Sequence, residues 1–184
     1  MNFKLAFLVL PIVFLGASMS DAKKSVSTVL DNKKSISVKR SQGICYSEKA
    51  GVSFKCKNSW NLTVMDGANL FNSKEMPHLT VSVSTMVVDF TVLEELDHGF
   101  LHSTGLYSDN FQREHVMCAG RPALKIKAYA KDNPHMRYVG LFFLKNKELT
   151  SILFSVYPEK KYWDQYQFTI KEMIDSLNFI GSNK

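Results

Sequence analysis

Residues 119–157 read AGRPALKIKAYAKDNPHMRYVGLFFLKNKELTSILFSVY, and this stretch decides the fold class. Within it, Ala123–Ala130 alternates apolar and polar side chains, which predicts a strand with one buried face. Short polar turns separate this strand from two further apolar runs, Met136–Leu144 and Leu149–Tyr157. Three strands joined by short turns indicate an antiparallel meander, so a β-sheet is predicted at the centre of the protein.

A helix is predicted on the C-terminal side of the meander, from about Tyr162 to Leu177. Its apolar side chains recur at helical spacing and form one stripe, as expected of a helix that packs on a sheet. The stripe consists of Trp163, Tyr166, Ile170, Met173, Ile174 and Leu177.

On the N-terminal side of the meander, short strand-like runs alternate with turns. The runs are Gly43–Tyr46, Val52–Cys56, Trp60–Val64, Leu79–Met86 and Phe111–Met117, and the last leads to the turn Ala119–Pro122. A helix is predicted before Phe111, because Thr91 and Glu94 have capping-box spacing ahead of an apolar stripe that ends near Gly105. These elements together predict an α+β fold in which an antiparallel β-sheet is flanked by helices, an α/β/α sandwich.

The order of these elements, with three local motifs, resembles the PsbP family. The motifs are Gly51–Phe54 followed by Trp60, the turn Gly120–Ala123 that opens the meander, and the helix end MIDSLNF at residues 173–179; they cover residues 43–180. The family's namesake is an extrinsic subunit of photosystem II, and a Ran-binding nuclear import factor and DcrB-type bacterial envelope proteins share its fold. The resemblance implies an antiparallel sheet between helices. It implies no common activity, because the members dock onto other proteins in unrelated settings.

The first 22 residues predict a cleavable secretory signal peptide. Lys4 precedes the apolar run Leu5–Leu15, which suits a signal peptide and is too short to span a bilayer as a helix. Ser20-Asp-Ala22 places small residues where a processing enzyme requires them. The mature chain is therefore predicted to begin at Lys23, with cleavage after Ala17 as the alternative.

No lipid anchor is expected, because Ser18 stands where a bacterial lipobox requires cysteine. The protein is therefore predicted to be secreted or periplasmic. After the signal peptide (residues 1–22), the predicted organisation is a flexible basic arm (residues 23–40) and a single PsbP-like domain (residues 41–184).

The net charge of +6 is concentrated in the arm. Residues 23–40 contain six basic residues against one acidic residue, whereas residues 41–184 contain 16 basic and 15 acidic residues. Because a fold that binds nucleic acid carries its basic stripe on the folded part, nucleic acid is not expected as a partner.

The candidate binding residues lie on one predicted strand and its neighbour. Lys125, Lys127 and Lys131 share a face of the strand with Tyr129, and Arg137 follows on the next strand. Such a basic and aromatic patch can bind an anionic lipid headgroup, a glycan sulfate or an acidic protein surface. The alternative is an ordinary solvated strand face whose lysines oppose aggregation.

The three cysteines predict one disulfide in an exported chain. If Ala50 and Gly51 form a two-residue turn, Cys45 and Cys56 face each other across the first hairpin, close enough to bond after a small adjustment. Cys118 then stays unpaired as a small buried residue. In the alternative account, a longer turn shifts the register and leaves all three thiols free.

The sequence contains no recognisable catalytic motif. Gly-rich phosphate loops, Gly-x-Ser-x-Gly and Cys-x-x-Cys are absent, and His115 and Cys118 are predicted to point to opposite faces of a strand. His98 and His102 have zinc spacing on a helix, but no third ligand accompanies them, so a pair on the helix surface is preferred. The protein is therefore predicted not to be an enzyme and to hold neither a cofactor nor a metal.

Three functions are compatible with these observations. The sequence favours an exported, non-enzymatic binding protein that acts through protein–protein contact. The alternative is a secreted factor that binds anionic membrane lipids through its basic arm and strand patch. A small secreted hydrolase is retained as a third candidate, because a cleft can be assembled from residues that are distant in sequence.

Overall fold

The computed structural model describes residues 43–56, 60–65, 68–103, 111–129, 137–157 and 160–180. The strands of this part are β1 (Ile44–Ser47), β2 (Val52–Lys55), β3 (Trp60–Met65), β4 (Ala68–Ser73), β5 (Leu79–Val87), β6 (Gln112–Cys118), β7 (Arg121–Tyr129), β8 (Arg137–Lys145), β9 (Glu148–Val156) and β10 (Asn178–Phe179). The helices are a 3-10 helix (Leu93–Glu95), α1 (His98–Ser103) and α2 (Lys160–Asp175). The predicted α+β class is confirmed.

Seven strands form a large antiparallel sheet in the order β3-β4-β5-β9-β8-β7-β6. The predicted meander is its β7, β8 and β9, and β8 pairs with β9 along its whole length, from Arg137 opposite Val156 to Lys145 opposite Glu148. Because β8 and β9 are buried on both faces, they are apolar runs in the sequence, whereas β7 alternates.

Two-residue turns close the hairpins β6–β7 and β8–β9. Ala119 and Gly120 form the first turn, Asn146 and Lys147 the second, and all four have positive φ, between 52° and 72°. Positive φ at both central residues defines the type I′ turn, whose twist matches that of antiparallel strands. Consequently β7 begins at Arg121, and the predicted four-residue turn Ala119–Pro122 is too long.

An apolar cluster lies on each face of the large sheet. On the face called here the α2 face, side chains such as Val81, Leu141 and Phe154 are buried beneath α2 and the small sheet. On the opposite face, called the α1 face, Leu124 and Phe142 are buried together with residues of the segment that contains the 3-10 helix and α1. The predicted stripe of α2 is confirmed, because its members are buried or pack against this core.

A small antiparallel sheet in the order β1-β2-β10 shares the α2 face with helix α2. The ring of Phe54 meets that of Phe71 edge-on at 5.2 Å between centroids, and Phe179 meets Phe143 at 4.8 Å. The small sheet is thereby packed onto the large one by aromatic contacts, which contribute beyond their area burial.

The predicted disulfide between Cys45 and Cys56 is confirmed, with 5.7 Å between the two Cα atoms. Cys118 is unpaired and buried, also as predicted. The register predicted for the hairpin is wrong, however, because Cys45 lies opposite Phe54 and reaches Cys56 diagonally.

The register differs because the turn has four residues and not two. Ser47 lies opposite Val52, and the N–H of Gly51 donates to the carbonyl oxygen of Glu48 at 3.1 Å. Gly51 takes the left-handed conformation at φ +57°, which glycine adopts without steric cost. The longer turn shifts the register without freeing the thiols, since the Cα separation of the diagonal pair still lies in the disulfide range.

The single helix predicted after Thr91 is also wrong. The chain forms the 3-10 helix and then α1, because Asp97 starts a new helix by accepting a hydrogen bond at its Oδ1 from the N–H of Phe100 at 2.7 Å. The N–H of Thr91 donates to the carboxylate of Glu95 at 3.4 Å, and not to the predicted Glu94.

Several predictions concern parts of the chain outside the described residues. These are the signal peptide (1–22), the basic arm (23–40), Ala130, Lys131, the helix end near Gly105, and the side chains of His98 and His102. None of the described helices is long and apolar enough to cross a membrane.

Candidate functional site

The strand patch consists of Lys125, Lys127 and Tyr129 on β7 and Arg137 on β8. The three β7 residues alternate with the buried Leu124, Ile126 and Ala128, so their side chains are on the α2 face. Arg137 lies directly opposite Tyr129 in the register of the two strands. The structure therefore brings together four of the five predicted binding residues, and the fifth, Lys131, lies outside the described residues.

On the α2 face, exposure increases along β7 from Ala123 to Tyr129. Ala123 is buried, the side chain of Lys125 is 26% exposed, and Tyr129 is 42% exposed. The C-terminal part of α2 lies over the beginning of β7 and the end of β6, where the thiol of Cys118 is 3.8 Å from the carbonyl oxygen of Ile174. The strand patch lies at the end of β7 that is farther from this contact.

Arg137 stacks on Tyr129 within the strand patch. Its guanidinium carbon is 4.4 Å from the centre of the tyrosine ring, a distance typical of a cation–π contact. Arg137 is half-buried, and its buried Nε has no hydrogen-bond partner within the described residues. The stack fixes the plane of the guanidinium group and leaves its N–H groups available to an acceptor.

The charges of the strand patch are partly neutralised. Lys125 is 3.4 Å from the carboxylate of Glu114, which lies directly opposite on β6. Lys127 lies opposite the neutral Gln112, and no described carboxylate is within ion-pair distance of Lys127 or Arg137. The free positive charge of the patch is therefore concentrated on Lys127 and Arg137, on either side of Tyr129.

Other candidate groups are dispersed. His115 is 3.7 Å from Glu94 on the α1 face, whereas Cys118 contacts α2 on the other face, so the two do not form a dyad. Burial raises the pKa of the Cys118 thiol, which keeps it protonated near neutral pH. Within the described residues, no group of three or more His, Cys, Asp or Glu side chains could hold a metal ion.

A second concave region, called here the turn groove, was not anticipated from the sequence. It has a volume of about 670 Å³ and is lined by residues that include Gly51 and Ile180 of the small sheet, Gly120 and Arg121 at the β6–β7 turn, and Asn146 and Glu148 at the β8–β9 turn. Such a volume lies within the range of ligand sites. The groove is assembled from turns that are far apart in sequence, so no local motif predicts it.

Arg121 and Phe179 meet inside the turn groove. The guanidinium carbon is 3.8 Å from the centre of the Phe179 ring, and that ring packs against Phe143 of the core. Both residues belong to the motifs on which the sequence resemblance rests, the turn Gly120–Ala123 and the helix end at 173–179. The two motifs are therefore in contact in the folded protein.

No protein-family model and no curated protein matches the sequence. Solved structures do match. The solution structure of cyanobacterial PsbP (CyanoP) from Synechocystis sp. PCC 6803 has a TM-score of 0.55 at 15% identity, over 74% of this chain and 91% of that one. The fold is PsbP-like.

Two further structures resemble the chain. A crystal structure from Bacteroides thetaiotaomicron VPI-5482 has a TM-score of 0.51 at 12% identity and covers 78% of this chain and 50% of its own. A mutant of the protein Mog1 has a TM-score of 0.48 at 10% identity, over 72% of this chain and 92% of Mog1. At these identities the likeness concerns the PsbP-like fold and not a site.

Proposed function

We propose that this PsbP-like chain is an exported, non-enzymatic binding protein that docks onto an acidic surface of another protein through the strand patch. The observation that carries the proposal is the stack of Arg137 on Tyr129 beside the exposed Lys127. It combines a guanidinium group on an exposed aromatic ring with the positive charge of Lys127, which has no described carboxylate within ion-pair distance.

The composition of the strand patch supports a protein partner. Tyrosine and arginine are enriched among the residues that dominate binding energy at protein interfaces. Carboxylates on a partner would give Arg137 the planar acceptor that its geometry suits, and would add a charged hydrogen bond. The docking role of other PsbP-like proteins is an analogy at the level of the fold.

Partner capture with charge-matched variants tests the proposal. One bait carries Lys127→Gln and Arg137→Gln, and the control bait carries Lys49→Gln and Lys74→Gln, which removes two charges from exposed residues elsewhere. Captured protein from the extract of the source cells is quantified at low and high salt. We expect the patch variant to lose at least tenfold in recovery and the control less than twofold, with salt weakening the intact complex.

Equal loss with both baits would indicate a general charge effect and contradict the proposal. Full recovery with the patch variant would place the docking surface elsewhere on the molecule.

Binding to anionic membrane lipids is the second candidate, and the charge of residues 23–40 favours it. This segment holds a net +5, from six basic residues and one acidic residue, on a chain that is otherwise nearly neutral. Clustered basic residues contribute about 1 kcal/mol each near an anionic membrane. If this candidate is right, deletion of residues 23–40 abolishes sedimentation with phosphatidylserine vesicles; if vesicles do not bind, or bind after deletion and in high salt, it is wrong.

A further inference from the structure

The side chain of Arg121 lies in the turn groove, at the edge of the core. Its guanidinium group lies flat on Phe179, 3.8 Å from the ring centre, and the side chain is half-buried. Among the described residues it makes neither a hydrogen bond nor an ion pair. Within the part of the chain that the structure describes, the group is therefore positioned by its contact with Phe179, and its donors meet no acceptor there.

Stacking of this kind prepares a guanidinium group for a planar anion. Arginine presents its N–H groups in a rigid fork that matches both oxygens of a carboxylate. Because Phe179 is itself packed against Phe143 in the core, the fork is fixed before a ligand arrives. A site organised in advance loses less entropy on binding than a mobile surface arginine does.

The charged residues that line the turn groove are Arg121, Lys145 and Glu148, so the described lining carries a net positive charge. Glu148 also lines the groove, and it lies directly opposite Lys145, another lining residue, in the β8–β9 register. Asn146 and the two glycines Gly51 and Gly120 add only neutral groups to the lining. An anion entering the groove therefore meets one carboxylate and two cations.

We propose that the turn groove binds a carboxylate of an acidic peptide segment and that Arg121 is the residue that recognises it. A peptide, not a small enclosed ligand, is the occupant because the groove runs open between three separate turns and measures about 670 Å³. A chain can lie along it while one carboxylate reaches the fork of Arg121. This site is distinct from the strand patch, so either one can fail without the other.

The experiment titrates the ¹⁵N-labelled full chain with acetylated hexaglutamate amide and follows the backbone amides by NMR. Acetylated hexaglutamine amide is the control for charge, and citrate tests a small free carboxylate. We expect hexaglutamate to shift the amides of Gly51, Gly120 and Asn146, and hexaglutamine to leave them in place.

Variants assign the recognition to Arg121. Arg121→Gln is expected to weaken hexaglutamate binding at least tenfold, while Arg113→Gln, on an exposed arginine of the β6 edge, changes it less than twofold. The patch variant with Lys127→Gln and Arg137→Gln keeps the shifts in the groove. Arg121→Lys retains the positive charge but not the planar fork, so we expect it to bind hexaglutamate with intermediate affinity. This second variant keeps the test possible if loss of the stack in Arg121→Gln disturbs the fold.

Four results would overturn the proposal. These are shifts confined to Lys127 and Tyr129, equal binding of hexaglutamine, unchanged affinity in the Arg121 variants, and the absence of shifts up to about 5 mM hexaglutamate, which corresponds to negligible affinity. Binding of citrate without hexaglutamate would assign the groove to a small carboxylate and reject the peptide.

Discussion

The neighbouring strands β7 and β8 present different residues to the same face of the sheet. On the α2 face, β8 places Val139, Leu141 and Phe143, and all three are buried in the core. The strand beside it places Lys125 and Lys127 opposite two of them. The sheet continues without interruption across this boundary, but the cover provided by α2 and the small sheet does not.

The difference shows that alternation assigns a face and not its environment. The alternation along β7 predicts which of its side chains share a face, whereas β8 is a continuous apolar run that is buried on both faces. The face that the two strands share is core on β8 and surface on the second half of β7. The change occurs along β7, beyond the part that the C-terminal end of α2 covers near Cys118, because only a surface with an apolar cover gains from burying apolar side chains. The strand patch lies on the uncovered side of this boundary.

Truncation on either side of the boundary should give very different effects. Leu141→Ala removes a fully buried side chain, and we expect the free energy of unfolding to fall by about 2–5 kcal/mol. Lys127→Ala, on the neighbouring strand, should change it by less than about 0.5 kcal/mol, because the side chain is exposed. Urea denaturation measures both, and comparable losses would show that the cover extends over β7.

Removal of the Cys45–Cys56 disulfide should destabilise the small sheet, which covers part of β8. In the variant with Cys45→Ser and Cys56→Ser, the unfolded hairpin regains its freedom, and we expect a loss of about 2–3 kcal/mol. Hydrogen exchange should accelerate at Val52 and Phe54 more than at Lys127. Uniform acceleration would mean that the small sheet is not a separate layer of the cover.

The turns that precede β7 and β9 differ in the residue at their second position. Both are type I′, but the second position is Gly120 in one and Lys147 in the other. Lys147→Gly should raise the free energy of unfolding by about 1 kcal/mol, because glycine adopts positive φ without the steric cost that lysine bears. Gly120→Ala should lower it by a similar amount. A destabilised Lys147→Gly would show that the lysine side chain makes an unrecognised contact.

The reactivity of the Cys118 thiol measures how well α2 covers this end of the sheet, and it requires no substitution. The thiol is 8% exposed beneath the end of α2, and burial raises its pKa. Iodoacetamide should therefore react with Cys118 at pH 8.5 at least tenfold more slowly in the native protein than in the urea-unfolded chain with its disulfide intact, where this thiol has the ordinary pKa of about 8.5. Equal rates would indicate that α2 leaves this end of the sheet open.

The sign of the pH dependence follows from the same group. Because the folded thiol has the higher pKa, its contribution to stability is present in full below the pKa of the unfolded thiol. It is lost as the pH rises from there toward the folded value. Cys118→Ala should remove this alkaline component of the stability profile.

Much of the fold follows from patterns within single elements. Strand β7 and the stripe of α2 were predictable because each rests on a periodicity that the burial of one face imposes. Strands β8 and β9 were predictable because strands buried on both faces are apolar runs bounded by turns. The register of the first hairpin was not, since it depends on whether Glu48–Gly51 closes as a two-residue or a four-residue turn. The helix after Thr91 was overestimated because Asp97, a strong cap, starts a new helix within the apolar stripe.

The candidate sites differ in the same respect. The strand patch was predictable because Lys125, Lys127 and Tyr129 are two residues apart on one strand. Its cation–π stack and the compensation of Lys125 by Glu114 depend on neighbouring strands and were not. The turn groove could not be predicted at all, since it forms where three distant turns meet.

The most direct measurement of the central claim, that the open end of β7 is the docking surface, is site-specific photo-cross-linking. A benzophenone side chain is introduced at Tyr129, which is 42% exposed in the strand patch, and separately at Phe168, which is 67% exposed on α2. Both chains are irradiated in extract of the source cells and examined for covalent adducts. We predict a discrete, salt-sensitive protein adduct at position 129 and none at position 168; an adduct at 168 alone, or the same set of adducts at both positions, would contradict the account.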